Sequence, residues 1–266
     1  MTVRVEKHGA VTTVIHSRPE ARNAMDPQSA EALVAAFEAF DQDPAASVAV
    51  FWGEGGAFSA GWDLKQASTL GKADNPLSEF DFPGDGGPVP RGPMGPSRLN
   101  LSKPVIAAVA GPAVAGGFEL ALWCDLRVME QSAYFGVYCR RWGVPLIDGG
   151  TVRLPRLVGQ GRALEIIMTG RKVPAEEALR IGACEQVVAD GEARAAAEAL
   201  AAEIARYPQG CMRADRRSVY LQHGLPEMDA LRSEWENSVA MVAEEGLAGA
   251  ARFSGGKGRH GDFGDI

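Results

Sequence analysis

Two short apolar runs, each breaking into a glycine-bearing turn, constrain this chain more than any other feature. Ser47-Val-Ala-Val-Phe-Trp52 is almost wholly apolar, with Asp-Pro upstream and Gly53 after it. Such a strand has no solvent face and suits a sheet covered on both sides. It opens into Gly53-Glu-Gly-Gly-Ala-Phe-Ser-Ala-Gly-Trp-Asp-Leu-Lys65. Lys103-Pro-Val-Ile-Ala-Ala-Val109 is a second run of this kind, and it opens into Ala110-Gly-Pro-Ala-Val-Ala-Gly-Gly-Phe-Glu-Leu-Ala121. Glycine has no side chain, so either turn lets the backbone approach a ligand closely. With 32 Gly in 266 residues, glycine stands at about 12% against the usual ~7%. Where those glycines sit is therefore the question to answer.

The remaining elements fall around these two runs. Asp125-Leu-Arg-Val-Met129 reads as another strand. Val3-Arg-Val-Glu6 and Val11-Thr-Thr-Val-Ile15 flank His8-Gly9 and read as a hairpin. Asp26-Pro27 opens a helix, with Asp as N-cap and Pro at the first helical position. Leu33, Val34, Phe37 and Phe40 follow at helical spacing. Strands alternating with helices make an α/β domain. From about Gly161 the pattern turns helical, over 163–169, 175–181, 192–207 and 226–245. The expected division is a strand-containing core over 1–190 and a helical region and tail over 191–266. Residues 71–98 stand apart, rich in Gly and Pro and without periodicity. A stretch of that length inside a compact domain is functional or disordered. It reads either as a cover over an active site or as a surface insertion.

Charge and cysteine usage exclude several classes. Against 34 Asp and Glu there are 27 Lys and Arg, a net charge of −7, which is the wrong sign for a nucleic-acid binder. The four cysteines, at 124, 139, 184 and 211, show no metal-ligand spacing and no dense framework. They read as reduced thiols of a cytoplasmic protein. The first 16 residues carry Arg4, Glu6 and Lys7 and lack an apolar core, so no signal peptide is apparent. The longest uncharged run, 104–118, is too short and too rich in Gly and Pro to span a bilayer. Neither a metal, a redox cofactor, a nucleic acid nor a membrane is expected as a partner.

The chemistry is expected at the second turn. It runs into Phe118–Trp123, an apolar stretch suited to a buried helix. Amides at a helix N-terminus are unpaired and partly positive, and they suit a developing oxyanion. Glu119 lies just inside that helix, between Phe118 and Leu120. Desolvation there raises a carboxyl pKa toward the range useful for proton transfer; the plain alternative is a first-turn Glu facing the helix dipole. Other motifs fail. Ala57-Phe-Ser-Ala-Gly61 lacks the first glycine of a nucleophile elbow, and neither His223 nor His260 is placed to serve it. Gly53-Glu-Gly55 lacks the third glycine of a dinucleotide fingerprint. Gly256-Lys257 is followed by Gly258, so it is no P-loop.

Taken in order, several segments resemble the enoyl-CoA hydratase/isomerase (crotonase) superfamily. They are Arg18-Pro-Glu-Ala-Arg-Asn-Ala-Met25, Ala57-Phe-Ser-Ala-Gly-Trp-Asp-Leu-Lys65, Lys103-Pro-Val-Ile-Ala-Ala-Val109 with Gly116-Gly-Phe-Glu-Leu-Ala121, and Phe135-Gly136. Gly149-Gly-Thr-Val-Arg-Leu-Pro155 and Thr169-Gly-Arg-Lys-Val-Pro-Ala-Glu-Glu-Ala-Leu179 follow. The resemblance implies a crotonase-like α/β fold, a core of ββα units followed by a C-terminal helical region, assembled as trimers or hexamers. It implies an acyl-CoA thioester substrate, so that coenzyme A enters with the substrate. It places the thioester oxygen between the backbone N–H groups of Trp62 and Gly116. It puts Arg22, Ala24, Ala60 and Lys65 along the CoA moiety. Lys257 reads either as a contact to the CoA phosphates or as a solvated tail lysine.

Hydratases of this family use two glutamates. The first matches Glu119, and the second position is occupied here by Cys139. A thiol is mostly protonated at neutral pH unless activated. Asp148, just before Gly149-Gly150, is a candidate to compensate, although its place is one residue beyond the family's usual Asp. The alternative reading has Asp148 capping a helix that begins near Thr151. Three functions therefore stand: a 2-enoyl-CoA hydratase, an enoyl-CoA isomerase working with one carboxylate, and a non-catalytic acyl-CoA-binding protein.

Overall fold

The computed structural model describes residues 2–71 and 75–258. Strands β1 (Val3–His8), β2 (Val11–His16), β3 (Val48–Gly53), β4 (Val105–Val109), β6 (Leu126–Glu130) and β9 (Gln186–Val188) form one sheet, in that order across it. Strands β5 (Pro112–Val114), β7 (Tyr134–Gly136) and β8 (Lys172–Pro174) form a second. In the main sheet only β1 and β2 pair antiparallel, as the hairpin at His8-Gly9 requires; every later pairing is parallel.

The apolar runs are buried on both faces, and alternation decides which residue meets which layer. Val48, Val50, Ile106 and Ala108 share one core cluster with Ala193, Ala197 and Ala201. Those alanines recur every four residues along one helix, α7 (Ala193–Ala205). Small side chains at this spacing let α7 lie close against the sheet. The intervening residues, Ala49, Phe51, Val105, Ala107 and Val109, belong to the other cluster. There they meet Leu33, Phe37 and Phe40 of α1 (Pro27–Gln42) and the residues of α3 (Gly116–Trp123). Phe37 packs edge-on against both Phe51 and Trp123, at 5.4 and 4.9 Å between ring centres. Helix α1 starts as expected, with the Asp26 carboxylate accepting the Ser29 amide at 2.7 Å and Pro27 in the first turn.

Between and beyond these lie α2 (Leu64–Ala67), α4 (Gly150–Val158), α5 (Gln160–Thr169), α6 (Ala175–Ile181), α8 (Gln209–Leu221), α9 (Glu227–Met241) and α10 (Leu247–Ser254). Two differences from the sequence reading have clear causes. The helix expected over 226–245 stops being regular at Met241, and a wider turn over Val242–Gly246 separates α9 from α10. Helix α8 escapes the apolar pattern because Ser218 is its one buried residue. Among the described residues no helix is long and apolar enough to cross a membrane.

Strand β2 ends in His16, fully buried, with neither ring nitrogen bonded to any described residue. Burial, reinforced by nearby Arg18, drives its pKa down from 6.5 to about 4. A group whose folded pKa is depressed in this way stabilises the fold fully above pH 6.5 and less as pH falls toward 4. Denaturant unfolding at pH 7 and pH 5 measures this. The wild type is expected to lose about 2 kcal/mol relative to His16→Leu between those pH values; a constant difference contradicts a buried neutral imidazole.

Candidate active site

Three loops meet where the two sheets adjoin. The first is the turn after β3. Asn23, fully buried, pins it: its side-chain amide donates to the carbonyls of Glu54 and Ala57 at 2.8 and 2.6 Å. The Ser59 hydroxyl donates back to the Asn23 carbonyl at 2.8 Å. Backbone bonds from Ala60 to Arg22, Met25 to Gly61 and Asp63 to Met25 lay the segment 22–25 beside 60–63. Arg18 ties the same two segments through Asp26 and Asp63, at 3.3 and 3.1 Å.

The second loop is the turn before α3. Ala115 sits there at φ 54°, a costly conformation for a residue with a Cβ. The two turns approach so closely that a Cβ on Gly61 would lie 2.9 Å from the Gly116 nitrogen. Gly61 also has φ +89°, so no other residue fits there without strain. Among the described residues neither the Trp62 nor the Gly116 amide donates a hydrogen bond. Two unspent backbone donors thus flank the same space, where an oxyanion would satisfy them.

The third loop precedes α4. Ala60, Trp62, Gly116, Glu119, Cys139 and Asp148 all line one pocket of about 90 Å³. Its floor is the buried set Met94, Glu119, Cys139 and Asp148, and exposed Leu64, Trp142 and Ile147 stand at its mouth. Glu119 is 2% exposed. Its Oε1 accepts the amides of Asp148 and Gly150, at 2.9 and 2.8 Å. Burial, then the neighbouring charge of Asp148, raises its pKa from 4.5 to about 7. Asp148 is 4% exposed, and burial lifts its pKa against the opposing pull of the Ser97 hydroxyl and the Met94 amide. Its Oδ1 accepts both of those groups, the amide at 3.0 Å. Among the described residues no hydrogen bond reaches Glu119 Oε2 or Asp148 Oδ2. Each carboxyl group is therefore held by one oxygen and keeps the other free.

The capping role for Asp148 is overturned. Helix α4 starts from Gly149 with no side-chain cap, because the Asp148 carboxyl faces Met94 and Ser97 instead. Cys139 lies on a short helical turn over Tyr138–Trp142 and lines the pocket, and burial followed by Glu119 raises its pKa. The thiol stays protonated at neutral pH and brings no second negative charge. Arg22 and Lys65 are exposed and Ala24 is half-buried; these three flank the loops rather than line the pocket. Lys257 is exposed in the tail, and His260 lies outside the described residues. Among the described residues no cluster of three or more His, Cys, Asp or Glu could hold a metal.

Sequence reasoning missed Pro93, Met94 and Ser97. They come from the end of the Gly/Pro-rich stretch, where Gly92 and Gly95 exchange backbone hydrogen bonds at 3.1 and 2.9 Å and close a tight turn. Residues 92–97 are all buried. This part of the stretch forms a wall of the pocket. The paired glycines were the available signal.

The geometry has close relatives. The family model described as enoyl-CoA hydratase/isomerase matches residues 6–253. An enoyl-CoA hydratase of Mycobacterium tuberculosis is 33% identical over 258 residues, covering 94% of this chain and 92% of the relative. A carnitinyl-CoA dehydratase of Salmonella typhimurium is 38% identical over 205 residues, covering 76% and 74%. Among solved structures, an enoyl-CoA hydratase from Mycobacterium tuberculosis superposes with a TM-score of 0.84 at 30% identity, with 95% of each chain covered. One from Bacillus anthracis gives 0.82 at 27% identity, with 96% of each chain covered. The mixed α/β core with its C-terminal helices is thus the crotonase fold. With its model matched over nearly the whole length, the chain belongs to the enoyl-CoA hydratase/isomerase family of enzymes.

Proposed function

We propose that this enzyme adds water across the double bond of a 2-enoyl-CoA thioester, and catalyses the reverse dehydration, using Glu119 and Asp148 as an acid–base pair. The observation that carries the reading is the pocket itself: two buried carboxyl groups, each with a free oxygen, beside two undonated amides. The relatives named hydratase and dehydratase carry out the same class of reaction in opposite directions.

The two carboxyl groups titrate as a pair. In this reading the pair works with one proton, held by Glu119, whose pKa is pushed up to about 7 so that about half of the molecules carry it at neutral pH. Asp148 is the partner that works ionised in this reading, with a hydroxyl and an amide donating to its Oδ1 against the burial that raises its pKa. Asp148 takes a proton from water as the water oxygen bonds to the β-carbon. The π electrons move onto the thioester oxygen, between the amides of Trp62 and Gly116. Glu119 gives its proton to the α-carbon as the enolate collapses. The amides serve the enolate more than the ground-state carbonyl, and that difference lowers the barrier. The step leaves the proton on Asp148 and Glu119 ionised, and its return to Glu119 through solvent resets the pair; coenzyme A enters as part of the substrate. Arg22, Ala24, Ala60 and Lys65 border the CoA moiety in this reading, and Lys257 approaches its phosphates from the tail. A cytoplasmic location fits the four free cysteines.

One observation favours a second reading. Cys139 in place of a carboxylate leaves Glu119 able to carry a proton between the α- and γ-carbons by itself, as an enoyl-CoA isomerase does. Crotonyl-CoA and a 3-enoyl-CoA separate the two. Loss of conjugated-thioester absorbance with the first is expected; a gain with the second and no change with the first contradicts hydration. In the hydration direction kcat/KM is expected to fall as pH rises through about 7, since Glu119 then loses its proton. Glu119→Gln is expected to cost roughly 10³-fold. Retained activity contradicts its role.

A homo-oligomer is proposed as well. Met228, Leu231, Trp235 and Val239 recur on one face of α9, and all are exposed. An apolar stripe of this kind marks an association surface. Light scattering is expected to give three or six times the 28.1 kDa of one chain, and Trp235→Glu is expected to weaken the assembly; a monomeric wild type contradicts it.

A further inference from the structure

We propose that Ser97 and Arg153 are positioning residues that hold the Asp148 carboxyl in the pocket by locking two loops in register. The inference rests on the acid–base role given to Asp148 above.

Asp148 has no regular secondary structure of its own to hold it, since it precedes α4 and does not cap it. What fixes it comes from the wall formed by residues 92–97. The Ser97 hydroxyl and the Met94 amide both donate to Oδ1. Ser97 is 1% exposed, so its hydroxyl has no solvent to turn to. A side chain at Gly92 would overlap Ser97 Oγ and lie 2.6 Å from Asp148 Oδ1, so the glycine makes room for this contact.

Arg153 joins the two loops through their backbones. Nη1 donates to the Asp148 carbonyl at 2.9 Å and Nη2 to the Ser97 carbonyl at 2.7 Å. One planar group thus spans the residue that reacts and the residue that orients it. A guanidinium forks to two acceptors at a fixed separation, which a lysine ammonium on its flexible stem does not. Arg153 reaches back over the loop because Gly149 has no side chain to collide with it. Arg153 is half-buried, and the desolvation lowers its pKa; the two carbonyls it holds are weaker partners for such a cation than a carboxylate. Such an arrangement is costly for stability alone, and it fits a role in geometry. The charged and titratable groups facing Asp148 are Glu119, Arg98 and Arg153, with Cys139 in the same pocket.

Two substitutions test this in the full-length enzyme. Ser97→Ala removes a donor that favours the ionised carboxylate, so the Asp148 pKa rises. The acid limb of the kcat/KM profile for hydration is expected to move to higher pH. Arg153→Lys keeps the charge and loses the fork. It is expected to lower kcat by about 10- to 100-fold with KM within about twofold. A role in stability alone would move neither the limb nor kcat at a temperature where both variants stay folded. An unmoved limb in Ser97→Ala together with wild-type kcat in Arg153→Lys overturns the inference. If the wild type turns over neither crotonyl-CoA nor a 3-enoyl-CoA, the proposed function fails, and hydrogen exchange at the Met94 amide then decides. Faster exchange in both variants supports the latch, and unchanged exchange overturns it.

Discussion

Everything at this site depends on burying two carboxyl groups side by side. Glu119 and Asp148 are both almost completely withdrawn from water. A carboxylate in that setting must be hydrogen-bonded, neutralised by a proton, or both. The fold does both. Backbone amides of Asp148 and Gly150 converge on one oxygen of Glu119, and Met94 and Ser97 converge on one oxygen of Asp148. The Asp148 amide serves Glu119 while the Asp148 side chain is held by the opposite wall. The two acids are thus joined through one residue, and neither can shift without disturbing the other.

That constraint explains why the surrounding loops are irregular and yet tightly bonded. Backbone N–H groups normally spent in strands or helices are directed here at side chains or left undonated. The parallel strands β3 and β4, buried on both faces, bring the two glycine turns to the same edge. Asn23 and Arg18 then fasten the first turn, and Ala115 accepts a strained conformation at the second. The apolar layers provide a rigid base on which the loops can keep unfavourable arrangements. In an active site, stored cost of this kind accompanies preorganisation.

Much of this was legible because it rests on local rules. The hairpin, the Asp26 cap, the buried strands and the helix bearing Glu119 follow from alternation, capping chemistry and burial of apolar runs. Strands of three residues, such as β5, β7, β8 and β9, are too short to show a period. The contacts of the Asp148 carboxyl join positions more than 50 apart, Ser97 to Asp148 by 51 and Met94 to Asp148 by 54, so no local pattern encodes them. Cys139 was legible as a missing carboxylate. That Asp148 lines the same pocket, with its carboxyl bonded to Met94 and Ser97, required the fold.

Glu119 is expected to exchange its proton near neutral pH because of where the chain buries it. Carbon-13 NMR titration of the glutamate side-chain carboxyls, with Glu119→Gln used to assign the resonance, measures this directly. One glutamate is expected to titrate near pH 7 and to vanish from the variant's spectrum. A Glu119 that titrates near its ordinary 4.5 would contradict the account.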